Sequence, residues 1–259
     1  MKELIIKILI CFCAGLGAGL GTGFAGMSAA AVIGPLLLVI GVPYYVSVGV
    51  GLASDVLASG ASAILYGKKK NIDIKHGLIM MISVICFTFV GSYVAKFIKP
   101  KTMEIGAVIS ITLLGLKFLI FPVKTTKEQM EQVSNKKKII GSILGGMVVG
   151  FVCGFVGAGG GMLMLLVLTT VLSYELHTAV GTSVFIMTFT ALTGSVSHFL
   201  LSNEEIDWLV LGLCMVFTLI FSIIASKIAN KVSSKILNRI VGIVLLATGV
   251  VTLIFRFIL

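Results

Sequence analysis

Four glycines occupy five consecutive positions between Gly157 and Gly161, inside one of the most apolar parts of the chain. Because glycine weakens a helix by about 1 kcal/mol per residue relative to alanine, the stretch GFVGAGGGMLM predicts a helix that breaks within a hydrophobic run. A break exposes backbone N–H groups, and the helix that follows it begins with a partial positive charge, so the place suits an anion. Close helix packing through small residues is the alternative. The candidate anion-binding residues here are Gly157, Ala158, Gly159 and Gly160.

A matching interruption is predicted in the first half of the chain. GFAGMSAAAV, which begins at Gly23, aligns with GFVGAGGGML, which begins at Gly154. Gly26, Met27 and Ser28 are therefore the equivalent candidates. Matching broken helices in two halves of an apolar chain are typical of secondary transporters and indicate a binding site between the repeats.

Asp55 is the only carboxylate well inside an apolar segment, VGLASDVLASGAS. A carboxylate at such depth is costly unless it is paired or hydrated, and intramembrane acids are commonly functional. Asp55 is therefore a candidate for carrying a coupling proton or for organising the transport path. Alternatively, it is a structural carboxylate, hydrogen-bonded to a neighbouring hydroxyl such as Ser54 or to a helix N-terminus.

The corresponding region of the second half, AVGTSVFIMTFTALTGSVSHF, contains no acid but many hydroxyls. Thr182 and Ser183 follow a glycine near the predicted helix start and could donate hydrogen bonds to an oxyanion without adding charge. The alternative is that they bond back to their own helix. Ser183 or Ser195 with His198 also suggests an intramembrane serine protease, but the chain has no G-x-S-x-G elbow.

These residues lie in a chain that is 58% hydrophobic and only 12% charged, about half the charge of a soluble domain. Several apolar runs reach the length of about 20 residues that a spanning helix needs, and they lack the alternation of barrel strands. The sequence predicts an all-α, multi-pass protein of the cell membrane, with its first membrane helix near Lys2–Leu20. Lysines between apolar runs carry the net charge of +10, as membrane loops require, and no nucleic-acid module accompanies them.

The apolar segments form two sets of five around the polar stretch KTTKEQMEQVSNKKK. We predict a first membrane repeat over residues 1–123, a cytoplasmic linker over 124–137 and a second membrane repeat over 138–259. If all segments cross, the repeats are inverted and there are ten spans. If each glycine-broken pair crosses once, or includes a re-entrant segment, there are eight. Ten spans place the acidic loop at 204–207 outside and the basic loop at 227–239 inside, whereas eight spans reverse both.

Together, GFAGMSAAAVIGPLL from Gly23 and VGVGLASDVLASGASAILYGKKKNIDI from Val48 resemble the TauE/SafE family of sulfite exporter-like membrane permeases. GFVGAGGGMLMLLVL with AVGTS is the second-half counterpart, so the resemblance covers nearly the whole chain. It implies the export of small sulfur-containing anions. Many members have a glycine run where this chain has GMSAAA, so we do not expect the two halves to contribute equally.

We therefore expect a secondary transporter that exports small anions such as sulfite, sulfonates or other organosulfur anions, and not an enzyme. An anion channel is the main alternative. The expected partners are a small anionic solute, the lipid bilayer, a coupling proton or other ion, and a second copy of the chain, with no cofactor, metal or nucleic acid. The chain has no Walker loop for direct use of ATP. The expected substrate-binding residues are Gly26, Met27, Ser28, Ser54, Asp55, Gly157, Ala158, Gly159, Gly160, Thr182 and Ser183.

Overall fold

A computed structural model describes residues 2–95, 112–156, 160–202 and 204–258, and every regular element in these ranges is a helix. The predicted all-α class is confirmed. The helices are α1 (Lys2–Ala25), α2 (Ala30–Leu38), α3 (Tyr44–Lys68), α4 (Ile74–Ala95), α5 (112–120), α6 (Lys127–Glu131), α7 (Asn135–Val156), α8 (Gly160–Thr170), α9 (Leu176–Leu201), α10 (Trp208–Ala229) and α11 (Ser234–Ile258).

Five of the described helices, α1, α3, α4, α9 and α10, are long and apolar enough to cross a membrane. Their outward faces carry large hydrophobic side chains, among them Ile64, Ile82 and Leu192. In water such a surface would be unfavourable, but against lipid tails it is the expected composition. The chain is a multi-pass membrane protein.

The helices that follow the two breaks, α2 and α8, are too short to span the bilayer. α2 has nine residues and α8 has eleven, so at 1.5 Å per residue each is well short of a hydrocarbon core of about 30 Å. Each short helix packs along a long helix next to it in the chain. Gly34 of α2 lies beside Val48 of α3, and Val167 of α8 lies beside Gly145 of α7. The glycine-broken helices of the prediction are thus present as two long–short helix pairs.

The bundle has two ends that differ in charge. At the acidic-loop end, Lys7 of α1 pairs with Asp207, which precedes α10, at 2.7 Å. At the linker end, Asn71 of the α3–α4 loop bonds to Asn230 after α10, and Asn238 of α11 bonds to the backbone of Val123. The basic loop after α10 therefore lies with the linker, as the ten-segment alternative requires.

The helices of the two halves pack against each other: α1 against α10, α4 against α7, and α3 against α9. α1 begins at the acidic-loop end, whereas α7 begins at the linker end, where Asn135 accepts a hydrogen bond from His76 at 2.9 Å. The two halves therefore run in opposite directions. Their origin by duplication, with the boundaries given above, stays a prediction.

Candidate functional site

The break between α1 and α2 is a sharp reversal of the chain. Gly26 has φ +59°, a left-handed conformation that glycine adopts at no steric cost. The turn is closed by a hydrogen bond from Met27 N to Gly21 O at 3.2 Å, and the Tyr66 hydroxyl donates to Gly23 O at 2.9 Å. α1 therefore ends in a fixed geometry that sends α2 back beside α3.

Asp55 lies near the middle of α3 and is fully buried, directly opposite this break. One carboxylate oxygen accepts hydrogen bonds from Ser28 Oγ at 2.6 Å and from Ala29 N at 2.8 Å. The other accepts from Thr22 Oγ1 at 3.3 Å. Asp55 thus occupies the positive N-terminus of α2, where a carboxylate is stabilised by both free N–H groups and the helix dipole.

The second break meets the first. α7 ends at Val156 and α8 begins at Gly160; three predicted site residues, Gly157, Ala158 and Gly159, lie outside the described residues. A β-carbon added at Gly161 would collide with Gly26 O and with Met187 Sδ of α9. Only glycine at this position lets the start of α8 touch the α1–α2 turn.

Ser183 joins the two breaks from α9. Its buried hydroxyl lies 3.3 Å from Gly26 O and 3.3 Å from Gly161 O, so its one O–H is shared between carbonyls of both interruptions. One side chain predicted from sequence is therefore at the junction of the two broken helices. The arrangement also shows that the hydroxyl does not bond back to its own helix, which was the alternative.

The other predicted site residues lie around this junction in different roles. Ser54 donates to Val50 O of its own helix at 2.8 Å and does not bond to the Asp55 carboxylate. Thr182, one residue nearer to the linker end than Ser183, accepts a hydrogen bond from Asp73 N at 3.0 Å. The Met27 side chain is buried and packs on Gly21.

Two groups at the junction are absent from the sequence-based set. Thr22 bonds to both Asp55 and Met27 O, and it is the only hydroxyl residue of α1, a signal that sequence analysis could have used. Met187 supplies the thioether beside Gly161. Nothing in its local sequence separates it from a core methionine, because only the packing of α8 on α9 brings it there.

The arrangement does not favour a serine protease site. Ser195 Oγ donates to Leu192 O at 3.1 Å, and His198 Nδ1 lies 3.2 Å from Tyr45 O. The Ser183 hydroxyl is engaged by two carbonyls. None of these geometries forms the serine–histidine hydrogen bond that activates a nucleophile.

Two carboxylates at the linker end, Glu175 and Asp73, accept hydrogen bonds near the start of α9. Glu175 caps α9 by accepting from Thr178 N at 3.1 Å. Burial acts to raise its pKa, but the hydrogen bond and charge of His177 and the N–H of Thr178 outweigh it and hold the pKa at about 2. Asp73 accepts from the Tyr174 hydroxyl at 2.7 Å. Its pKa is also lowered, because the hydrogen bonds from Tyr174 and His76 outweigh its burial.

Comparison with known proteins agrees with this architecture. The sequence profile of the family described as "Sulfite exporter TauE/SafE" matches residues 11–252. A similar protein is the "Probable membrane transporter protein YunE" of Bacillus subtilis (strain 168), which is 25% identical over 216 residues, covering 75% of this chain and 78% of the relative. The profile match takes in both breaks, Asp55 and Ser183. The chain belongs to the sulfite exporter TauE/SafE family of membrane transporters.

Proposed function

We propose that this transporter exports small oxyanions, of which sulfite and sulfonates are the class to test first, and that the anion binds where the two helix breaks meet. The single observation that carries the proposal is the contact of the two interruptions around Ser183, beside a carboxylate at mid-depth in the bundle. Broken helices that meet near the midplane are the usual substrate site of secondary transporters.

The two breaks differ in charge, which supports a site for one anion. At the start of α2, the Asp55 carboxylate accepts a hydrogen bond from the N–H of Ala29. At the start of α8, the neighbouring side chain from α9 is the uncharged thioether of Met187. We infer that Asp55 supplies the negative charge for the first helix N-terminus, while the second is completed by the transported anion.

Ser183 is the proposed specificity group. Its hydroxyl now donates to the carbonyls of Gly26 and Gly161. When the two halves move apart, the same O–H can turn to an anion at the start of α8. Opposed movement of the inverted halves would expose the site first to one end of the bundle and then to the other.

A carrier fits the packing better than a channel. Gly161 is in contact with Gly26 and lies against Ser28, so the chain is closed at the junction itself. A solute held there can leave only after the two breaks separate, which limits transport to one cycle of movement at a time. The basic clusters at 68–70 and 136–138 are at the linker end, so we assign that end to the cytoplasm.

The substrate class can be tested with inside-out membrane vesicles, whose cytoplasmic face meets the assay medium. We expect vesicles that contain the protein to accumulate radiolabelled sulfite or sulfoacetate faster than vesicles from empty-vector cells. Equal uptake in both kinds of vesicle across a panel of such anions would remove the substrate proposal.

Asp55→Asn should weaken any dependence of this uptake on pH if Asp55 carries the coupling proton. Unchanged pH dependence in an active Asp55→Asn protein would leave Asp55 with the capping role alone.

A further inference from the structure

The linker end of the bundle contains an open cleft of about 770 Å³, away from the junction of the two breaks. One wall is formed by residues 122–128, the end of the first half and the start of the linker. The end of α10 and the start of α11 contribute Asn230 and Lys235 to the lining, and the start of α9 contributes Glu175, which caps that helix, and His177. The cleft is therefore built from both halves and from the segment that joins them.

The linker wall is held in place by specific hydrogen bonds. Asn238 of α11 uses its side-chain amide twice: its Oδ1 accepts from Val123 N at 2.8 Å, and its Nδ2 donates to Val123 O at 3.0 Å. Lys127 Nζ donates to Lys70 O at 3.1 Å. Because the backbone of the linker is fixed at these two points, the cleft is a shaped site with defined walls.

The unbalanced charge of the cleft is positive. Glu175 is already engaged by His177 at 2.7 Å, by Ser234 at 2.9 Å and by Thr178. Both ring nitrogens of His177 face acceptors, since Nε2 lies 3.1 Å from Ala229 O, so the imidazolium form satisfies the ring. Lys124 and Lys235 both line the cleft, and neither makes an ion pair with any residue that the structure describes.

The position of Lys235 is electrostatically unfavourable without an anion. It lies in the first turn of α11, where the helix dipole is positive and a cation is destabilising. The amides of Asn71 and Asn230, which line the cleft and bond to each other at 3.1 Å, add neutral donors. A small anion bound near Lys124 and Lys235 would offset the unfavourable position of Lys235 and accept hydrogen bonds from the asparagine amides.

We propose that this cleft is an anion-binding vestibule that collects the transported oxyanion on the linker side before it reaches the junction of the breaks. The inference rests on the proposed function for the identity of the anion. The first turn of α9 lines the cleft, and Ser183 lies on the same helix, six residues deeper than His177, or about 9 Å at the helical rise. Asn71, which lines the cleft, also lies against Gly181 of α9, two residues before Ser183.

The test compares two double variants that remove the same charge from the same end of the protein. Lys124→Gln/Lys235→Gln removes two of the three lysines that line the cleft and leaves Lys127, which holds the linker in place. Lys136→Gln/Lys137→Gln removes two exposed lysines at the start of α7, outside the cleft. In inside-out vesicles at low ionic strength, we expect the cleft variant to raise the KM for sulfite about tenfold with little change in maximal rate, because charged clefts raise the local concentration of a counter-ion. The control variant should change KM less than twofold.

Equilibrium binding of radiolabelled sulfite to the purified proteins in lipid nanodiscs separates this inference from the transport proposal. Weaker binding by the cleft variant than by its control supports the vestibule, even if the wild-type protein moves no sulfite. Equal binding by the cleft variant and the wild-type protein, or no binding by either, overturns it. The same loss of affinity in both double variants would assign the effect to surface charge in general and would also overturn it.

Discussion

Asp55→Ala is expected to cause a large loss of stability together with the loss of transport. The substitution leaves three buried donors, Thr22 Oγ1, Ser28 Oγ and Ala29 N, without the carboxylate that now accepts from them. Thr22 keeps its hydrogen bond to Met27 O, so the Ser28 hydroxyl and the Ala29 N–H are the donors left unsatisfied. Each unsatisfied buried donor costs about 1–3 kcal/mol, so we expect a total of roughly 2 kcal/mol or more. Thermal unfolding of the protein in detergent and anion uptake in vesicles measure the two effects.

The neighbouring residue provides the control. Ser54→Ala removes a hydroxyl that bonds only to Val50 O of its own helix, so its unfolding temperature and its transport should stay close to those of the wild-type protein. Asp55→Asn, which keeps one carbonyl oxygen as acceptor, should fall between the two. If Asp55→Ala unfolds at the wild-type temperature, the carboxylate does not hold α2 in place.

Gly161→Ala is expected to abolish transport by separating the two breaks. The added β-carbon would collide with the backbone oxygen of Gly26 and the sulfur of Met187, and would lie 3.2 Å from Ser28 N. The methionine side chain can move, but the backbone of the α1–α2 turn cannot move without disturbing the hydrogen bonds of Ser183. Strain from such overpacking costs typically about 1–3 kcal/mol.

Gly212→Ala in α10 is the matched substitution, because a β-carbon there has no neighbour within 4 Å. It should be neutral or slightly stabilising, since alanine is the better helix former. We therefore expect uptake of labelled sulfite to be lost in Gly161→Ala and retained in Gly212→Ala, with both proteins present at similar levels in the membrane. Wild-type rates in Gly161→Ala would show that close contact of the breaks is not needed for transport.

Much of the fold follows from local sequence. The long apolar runs predict the spanning helices, and the glycine-rich stretches predict the interruptions that separate α1 from α2 and α7 from α8. Asp55 stands out because a lone carboxylate in an apolar segment needs partners. The resemblance of residues 23–37 and 48–74 to a transporter family is likewise visible in the sequence, and the family profile covers both stretches.

The partners at the junction could not be predicted in the same way, because they depend on tertiary packing. Ser54 is adjacent to Asp55 in sequence but points to its own helix, whereas Thr22 comes from α1 and Ala29 from the following turn. Thr182 and Ser183 are neighbours, yet one contacts Asp73 and the other contacts both breaks. Helical geometry turns consecutive side chains by about 100°, so adjacent residues meet different neighbours.

We propose that the transported anion binds at the N-terminus of α8, as the Asp55 carboxylate binds at the N-terminus of α2. Met187→Asp tests it directly, because it places a carboxylate beside Gly161, where the anion is proposed to bind. A tethered group competes at a high effective concentration. Met187→Asn, which has nearly the same shape without the charge, is the control for packing and polarity.

The decisive measurement is the initial rate of sulfite uptake into inside-out vesicles that contain equal amounts of these two variants. We expect Met187→Asp to transport at least about a hundredfold more slowly than Met187→Asn, because its own carboxylate occupies the site. Equal rates in the two variants would show that the transported anion does not bind at the start of α8.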